Sequence, residues 1–338
     1  MKTDIILVIG ACGQIGIELT VALRERYGRF NVIAADKVAT ADILLDALDQ
    51  DALRNVVRNC GVTQIYLLAG TFSTPAEQDI PPGWKLNIQS LLSVLEVAKE
   101  QRLDKVFWPS SIAVFGPGSP KYNCPQQTCV EPDTVYGISK RVGEYWCNYY
   151  FEQYGVDVRS LRFSGLVACT APTGYGTTDY AVSIFHQAIE KQHYTCFLNE
   201  DTCLPMMYLP DAIRAILELM DAPKEAITIR TSYNLAGMSF APCDLAAEIK
   251  KHIPGFRIDY QPDHREMIAA GWPASIKDEQ ARKDWGWQPH FDLKGMTADM
   301  LAQLTKIKGA YPEQEQMALH DFPDFPNEDH DFTGVFKI

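Results

Sequence analysis

The chain has 338 residues, room for two domains or for one large domain with a lobe on it. Apolar residues make up 46% of it and charged residues 22%, which excludes a disordered or collagen-like chain, and a net charge of −12 speaks against a nucleic-acid backbone as the main ligand. No apolar run approaches the ~20 residues of a membrane span, and Met-Lys-Thr-Asp leads directly into an apolar run with no leader peptide, so the cytoplasm is the expected location.

Taken in order, Asp4–Ile9 is a continuous apolar run, the pattern of a parallel strand buried on both faces. Gln14–Arg26 follows with Ile15, Leu19, Ala22 and Leu23 at helical spacing. Asn31–Ala35 reads as a strand, Asp49–Asn59 as a helix, Gln64–Leu68 as a strand and Trp84–Gln101 as a helix. Lys105–Trp108 is a fourth strand, Thr134–Tyr154 a long helix and Val156–Arg162 a fifth strand. Strand–helix units at this interval imply right-handed crossovers and an α/β, doubly wound parallel sheet.

Beyond residue 165 the pattern loosens around Pro172, Gly174, Gly176 and Pro205. Helices are expected at Asp179–Glu190, Asp211–Asp221, Pro242–His252 and Lys294–Leu304, with short strands at Met206–Leu209, Ser232–Ala236 and Arg257–Tyr260. The expected organisation is a nucleotide-binding Rossmann domain over 1–165 and a smaller α/β substrate lobe over 166–310, part of which returns to the sheet. An acidic tail containing Pro and Phe occupies 311–338. The nine cysteines form no C-x-x-C pair and have no histidine at ligand spacing, so no metal site is expected.

Gly10-Ala-Cys-Gly13-Gln-Ile-Gly16 lies between the first strand and the first helix, the setting in which glycines cradle a pyrophosphate. Gly10 permits the tight turn, Gly13 lets backbone N–H groups approach the anion, and Gly16 permits close helix–strand packing. The helix N-terminus adds partial positive charge. Asp36, at the end of the second strand, is placed to accept hydrogen bonds from the ribose hydroxyls and to repel a 2′-phosphate, favouring NAD over NADP. The alternative role for Asp36 is a loop cap, and Lys37 beside it would soften the repulsion.

Tyr136-Gly-Ile-Ser-Lys140 opens the long helix, and its i,i+4 spacing puts phenol and ammonium on one face. A lysine there favours the phenolate and lowers the tyrosine pKa from about 10 toward the working pH. The phenol then takes a proton from a substrate hydroxyl as hydride leaves the same carbon. Ser111 follows the fourth strand at the sheet edge where ligands bind, placed to hydrogen-bond the same hydroxyl. An ordinary amphipathic pair has the same spacing; the ordered glycine loop, Ser-Ser loop and Tyr-x-x-x-Lys favour chemistry.

With these motifs the chain, from residue 5 to about 305, resembles the extended, UDP-galactose epimerase-like short-chain dehydrogenase/reductase family. The resemblance implies catalytic roles for Ser111, Tyr136 and Lys140, the lysine also reaching the nicotinamide ribose. It implies an NAD site formed by Gly10, Cys12, Gly13, Gln14, Ile15, Gly16, Asp36 and Lys37, with Asp46 and Ala47 flanking the adenine. Leu68, Ala69 and Gly70 line the edge of the third strand, Asn87, Ser110, Tyr136 and Lys140 lie on the reacting side, and Leu166 is near the nicotinamide. Many relatives carry Pro at the position of Ser164.

Four blocks of the second half resemble the short-chain L-threonine 3-dehydrogenase branch of that family. They begin at Gly174-Tyr-Gly176-Thr-Thr-Asp179, Leu204-Pro-Met-Met-Tyr208, Tyr233-Asn-Leu-Ala-Gly237 and Trp272-Pro-Ala-Ser-Ile276. Tyr175 departs from the plainer glycine run of relatives. An amino-acid substrate needs compact donors and acceptors: Gly176, Thr177 and Thr178 at the start of the next helix for the carboxylate, and Ser73 and Thr74 for the carboxylate or amino group. Asp179 is either a substrate contact or that helix's N-cap. The implied reaction is NAD-dependent oxidation of the L-threonine β-hydroxyl to 2-amino-3-oxobutanoate, a product passed to a CoA-dependent ligase or lost as aminoacetone.

The resemblance also implies a homodimer built from the Trp84 and Thr134 helices, for which the Leu91, Leu92, Leu95 and Ala98 stripe suits either interface or core. The alternatives are a sugar-nucleotide epimerase that retains its NAD and a non-catalytic NAD-binding regulator.

Overall fold

The computed structural model describes residues 4–71, 76–77, 79–169 and 176–310, the side chains of 308–310 excepted; Ser73, Thr74, Tyr175 and the acidic tail lie outside the described residues. The strands in chain order are β1 (Ile6–Ile9), β2 (Val32–Asp36), β3 (Ile43–Leu44), β4 (Gln64–Leu67), β5 (Lys105–Ser111) and β6 (Val158–Phe163). Then come β7 (Gly165–Val167), β8 (His193–Cys196), β9 (Leu204–Tyr208), β10 (Tyr233–Asn234), β11 (Met238–Phe240) and β12 (Arg257–Tyr260). Seven of them form one sheet in the order β10-β6-β5-β4-β1-β2-β3, every neighbouring pair parallel. The chain forms the expected doubly wound Rossmann sheet, and its order reverses beside β1, opening a crevice at the carboxyl ends of β1 and β4.

Helices cover both faces: α1 (Gln14–Tyr27), α2 (Gln50–Cys60), the short α3 (Ile80–Trp84), α4 (Ser90–Gln101), α5 (Val135–Tyr154) and, after α6 (Tyr180–Lys191) of the lobe, α7 (Leu209–Asp221). Strand periodicity explains the two layers. Ile6 and Val8 of β1 point into a core shared with Leu19 and Leu23 of α1 and Ile216 and Leu219 of α7. Leu7 and Ile9 point the other way, toward Leu53 of α2, Leu91 and Leu95 of α4 and Tyr150 of α5. Leu91, Leu95 and Ala98 are thus buried within the chain and Leu92 partly so, and the α4 stripe packs against this core.

The lobe contains a three-stranded sheet, β11-β9-β7, a parallel pair, β12-β8, and the helices α6, α8 (Pro242–His252), α9 (His264–Gly271), α10 (Glu279–Trp285) and α11 (Leu293–Ala310). Its core draws on Tyr180, Phe185, Leu204, Met206, Leu245, Met296 and Met300. Tyr136 packs against this cluster from the sheet side, and Val167 of β7 is part of it. The reacting edge of the sheet and the lobe therefore meet at β5, α5 and β7.

Two details of that edge differ from the sequence reading. Strand β5 runs past Trp108 to Ser111 despite Pro109. Its pairing with β4 is registered only to Phe107, whereas pairing with β6 continues to Ser111, so Pro109 lies where one side of the strand is already unpaired and tolerates the missing N–H. The segment expected as one helix from Trp84 begins with a π-helical turn, Lys85–Gln89, a form concentrated at functional sites.

Candidate active site

Gly10 ends β1 with φ of +87°, a backbone conformation that disfavours side chains, and a Cβ there would lie 2.5 Å from the Ala69 nitrogen. A Cβ on Gly16 would lie 2.2 Å from the Gly10 carbonyl oxygen, so only glycine lets α1 start this close to the strand. Gly13, at the N-cap, brings no side chain to the first-turn amides of α1 and is exposed. The loop is a cradle that leaves the first-turn amides of α1 open, and it fits a dinucleotide pyrophosphate. Gln14 and Ile15 begin the helix beside it.

Asp36 accepts from the Cys12 N–H at 2.9 Å and from the Lys37 N–H at 2.7 Å, so its carboxylate is fixed against the phosphate loop. The Lys37 ammonium pairs with Asp46 at 3.0 Å, which engages the charge that would have softened Asp36's repulsion of a phosphate. Asp46 also accepts from the Leu48 N–H at 2.9 Å; that bond and the Lys37 charge hold its carboxyl below the usual range. Ala47 beside it is buried. Leu68 and Ala69 donate to the Ile9 carbonyl, carrying the β4 edge and Gly70 around the crevice. Ile15, Leu68 and Leu166 are three partly buried apolar side chains against the same core cluster, which gives the crevice an apolar wall.

Asn87, in the π turn, is buried and its amide is engaged by protein: Oδ1 accepts from Thr71 N at 2.9 Å and Nδ2 donates to Ser139 Oγ at 3.0 Å. It ties the β4 edge to α5. Ser110 is likewise turned inward, its buried hydroxyl donating to Glu144 at 2.8 Å.

The reacting group sits where α5 begins. Thr134 caps the helix by accepting from Gly137 N at 3.1 Å, while Glu77 Oε1 accepts from Tyr136 N at 3.1 Å and the same carboxylate takes the Val135 N–H. A Cβ on Gly137 would lie 2.1 Å from the Ala113 carbonyl oxygen, so glycine lets the helix start against the turn after Ser111. That approach lets Tyr136 hydrogen-bond Ser111, which also accepts from Ala113 N at 3.1 Å. Lys140, one turn on and buried, donates from Nζ to the Pro109 carbonyl at 2.8 Å and lies 4.7 Å from the centre of the Trp108 ring.

The electrostatics correct one expectation. Burial pushes the Tyr136 phenol up to about 12, against the opposing pull of the Ser111 hydrogen bond. Burial drives the Lys140 ammonium down to about 8. In the protein alone the lysine, aimed at Pro109 with its Nζ 5.5 Å from the Tyr136 ring centre, does not bring the phenol toward neutrality.

On the lobe side, Asp179 stands at the N-cap position of α6 but makes no side-chain cap bond; its carboxylate instead accepts from Gly176 N at 2.9 Å. Thr178 lies over Gly165, where an ideal Cβ would sit 2.6 Å from the Thr178 methyl, so the 176–179 turn is seated on β7. Ser164 donates to the Leu235 carbonyl at 3.0 Å, a bond that proline would lack. Thr177 is buried, and its hydroxyl has no hydrogen-bond partner among the described residues. An orphaned buried hydroxyl costs stability and marks a place for a polar ligand atom.

Sequence reasoning missed Glu77 and Glu144. Glu77 carries no local signal, because its partner is a helix terminus 59 residues away. Glu144 had one: it continues the four-residue spacing of Tyr136 and Lys140.

Residues 6–236 match the NAD dependent epimerase/dehydratase family. An uncharacterized epimerase/dehydratase of Staphylococcus haemolyticus is 42% identical over 306 residues, covering 88% of this chain and 96% of that protein. Among solved structures, a GalE-like L-threonine dehydrogenase from Cupriavidus necator in its holo form is 54% identical with a TM-score of 0.88, covering 89% of this chain and 100% of that one. A partial consensus L-threonine 3-dehydrogenase is 56% identical with a TM-score of 0.88, covering 89% and 99%.

Proposed function

The chain belongs to the NAD dependent epimerase/dehydratase family, and within it we propose that this protein is an L-threonine 3-dehydrogenase, oxidising the β-hydroxyl to give 2-amino-3-oxobutanoate. The observation that carries the reading is the Ser111–Tyr136 hydrogen bond, with Lys140 one turn on and a glycine loop that fits NAD in the same sheet, in a chain more than half identical to proteins of that name. Bound NAD supplies a positively charged nicotinamide that accepts the hydride.

Ser111 orients the substrate hydroxyl and Tyr136 takes its proton. Because burial holds the phenol high, Tyr136 begins protonated in the free protein, and its proton leaves only when positive charge stands nearby. Lys140 spends one donor on Pro109 and has others for the ribose hydroxyls. The Thr177 hydroxyl, Thr178 and the Gly176 turn hold the substrate carboxylate. Asp179 shapes the turn through its bond to the Gly176 amide.

The assembly is a homodimer through α3 and α5, which leave Trp84, Ile138, Tyr145 and Tyr149 exposed; light scattering on Tyr149→Asp, expected to give a monomer, tests it. For the activity, the purified protein is given NAD with L-threonine and, separately, with UDP-sugars, and the reduced-nicotinamide absorbance is followed. Accumulation with L-threonine alone supports the reading. Interconversion of a UDP-sugar without accumulating reduced cofactor makes the chain an epimerase, and NAD binding with neither reaction makes it a regulator.

A further inference from the structure

Three consecutive residues at the end of β5 are tied to three successive turns of α5. Pro109 O accepts from Lys140 Nζ at 2.8 Å, Ser110 Oγ donates to Glu144 Oε1 at 2.8 Å, and Ser111 hydrogen-bonds Tyr136. The deepest of these ties is the one the reaction does not use. Glu144 is fully buried and Arg162 is 2% exposed, and the two form a bidentate pair, Nε to Oε1 at 2.7 Å and Nη2 to Oε2 at 2.8 Å. Arg141 Nη1 reaches Oε2 at 2.9 Å, so with Ser110 each carboxylate oxygen accepts two bonds and the group is fully satisfied.

A buried ion pair is weak evidence for stability, because desolvation offsets most of the attraction; fixing register is its best-attested use. Here the pair joins β6, through Arg162, to α5 and, through Ser110, to β5, the strand carrying the reacting serine. A slide of α5 along β5 breaks the four-bond geometry at Glu144. We propose that Glu144, clamped by Arg162, is a positioning residue that sets the register of α5 on β5 and thereby the alignment of Tyr136 with Ser111. The inference deepens the dehydrogenase reading and rests on it for its kinetic arm.

The test uses Ser110→Ala, Ser110→Thr, Arg162→Met and the paired Glu144→Gln/Arg162→Met variant, each compared with wild type. Ser110→Ala is expected to lower kcat with L-threonine between about ten- and a hundredfold, the scale of a misplacement on the order of 1 Å. KM and NAD affinity stay within about twofold, because the Ser110 hydroxyl, placed by the sequence in the NAD site, is buried and given to Glu144 instead. Ser110→Thr, which keeps the hydroxyl, recovers most of kcat. The paired variant removes both charges, so, although Asn234 also loses its bond from Arg162, it is destabilised less than Arg162→Met alone while kcat remains low.

A second readout needs no substrate. With tyrosines carbon-13 labelled at Cζ, the Tyr136 signal is assigned by its loss in Tyr136→Phe, and its titration moves upward in Ser110→Ala as the Ser111 bond loosens. Wild-type kcat and an unmoved Tyr136 titration in Ser110→Ala would overturn the proposal, whatever happens to its Tm. An inactive wild type would sink the dehydrogenase reading alone, leaving the titration to judge the register.

Discussion

Replacing Lys140 by Met should stabilise the protein without cofactor while destroying its activity. The side chain is 6% exposed, and burial takes its pKa from an ordinary 10.5 down to about 8. Between those values the unfolded chain holds more of this proton than the native one, so stability rises with pH across the window. Below about 8 the penalty is fully present, and above 10.5 it has gone. At 1.36 kcal/mol per pKa unit the penalty is about 3 kcal/mol, and loss of the bond to Pro109 returns about 1 kcal/mol of it. Lys140→Met should therefore be more stable than wild type by about 2 kcal/mol at pH 7, or about 3 °C in Tm for a chain of this length. Urea titrations of both proteins at half-unit steps from pH 6.5 to 9.5 read the difference directly. It should shrink steadily above pH 8. A variant less stable at pH 7, or a difference that does not change with pH, would refute the reasoning.

Asp36→Asn keeps an acceptor for Cys12 N but loses the charge, so NAD affinity measured by calorimetry should weaken roughly tenfold, with relative use of NADP rising. Thr177→Val removes a hydroxyl with no partner among the described residues; stability without ligand should rise by about 1 kcal/mol in denaturant melts while KM for L-threonine increases. Glu77→Ala uncaps two amides at the start of α5 and should cost about 1 kcal/mol in the same melts, with kcat falling more than NAD affinity.

What the sequence disclosed follows the range of the interactions. β1, the glycine loop and α1 are fixed by neighbouring residues, and their positions were legible; so was α5, whose Thr134 cap and Tyr-x-x-x-Lys face are local. The strands β3, β7, β8 and β11 were not: two to four residues carry little period, and only some strands this short, β10 and β12 among them, could be read. Helices α9 and α10 were missed for a similar reason: at eight and seven residues they show barely two turns of pattern. Within the site, Asp36 and Tyr136 could be named from motif spacing. The inward turn of Ser110 and Asn87 depends on partners 34 and 52 residues away, and the upward shift of the Tyr136 phenol depends on burial by the assembled sheet and lobe. The core role of Leu91, Leu95 and Ala98 in the α4 stripe came from packing, since a leucine face suits a core and an interface equally well until its neighbours are in place.

In the proposed reaction Tyr136 removes a proton from threonine's β-hydroxyl while hydride passes from the same carbon to NAD. L-Threonine deuterated at Cβ, mixed with the protein and unlabelled NAD, tests it by mass spectrometry of the reduced cofactor. One deuterium should appear on the nicotinamide C4 with a primary isotope effect on the transfer step, and Tyr136→Phe should lose about a thousandfold in rate with NAD still bound. Reduced cofactor free of deuterium, or unchanged turnover in Tyr136→Phe, would contradict it.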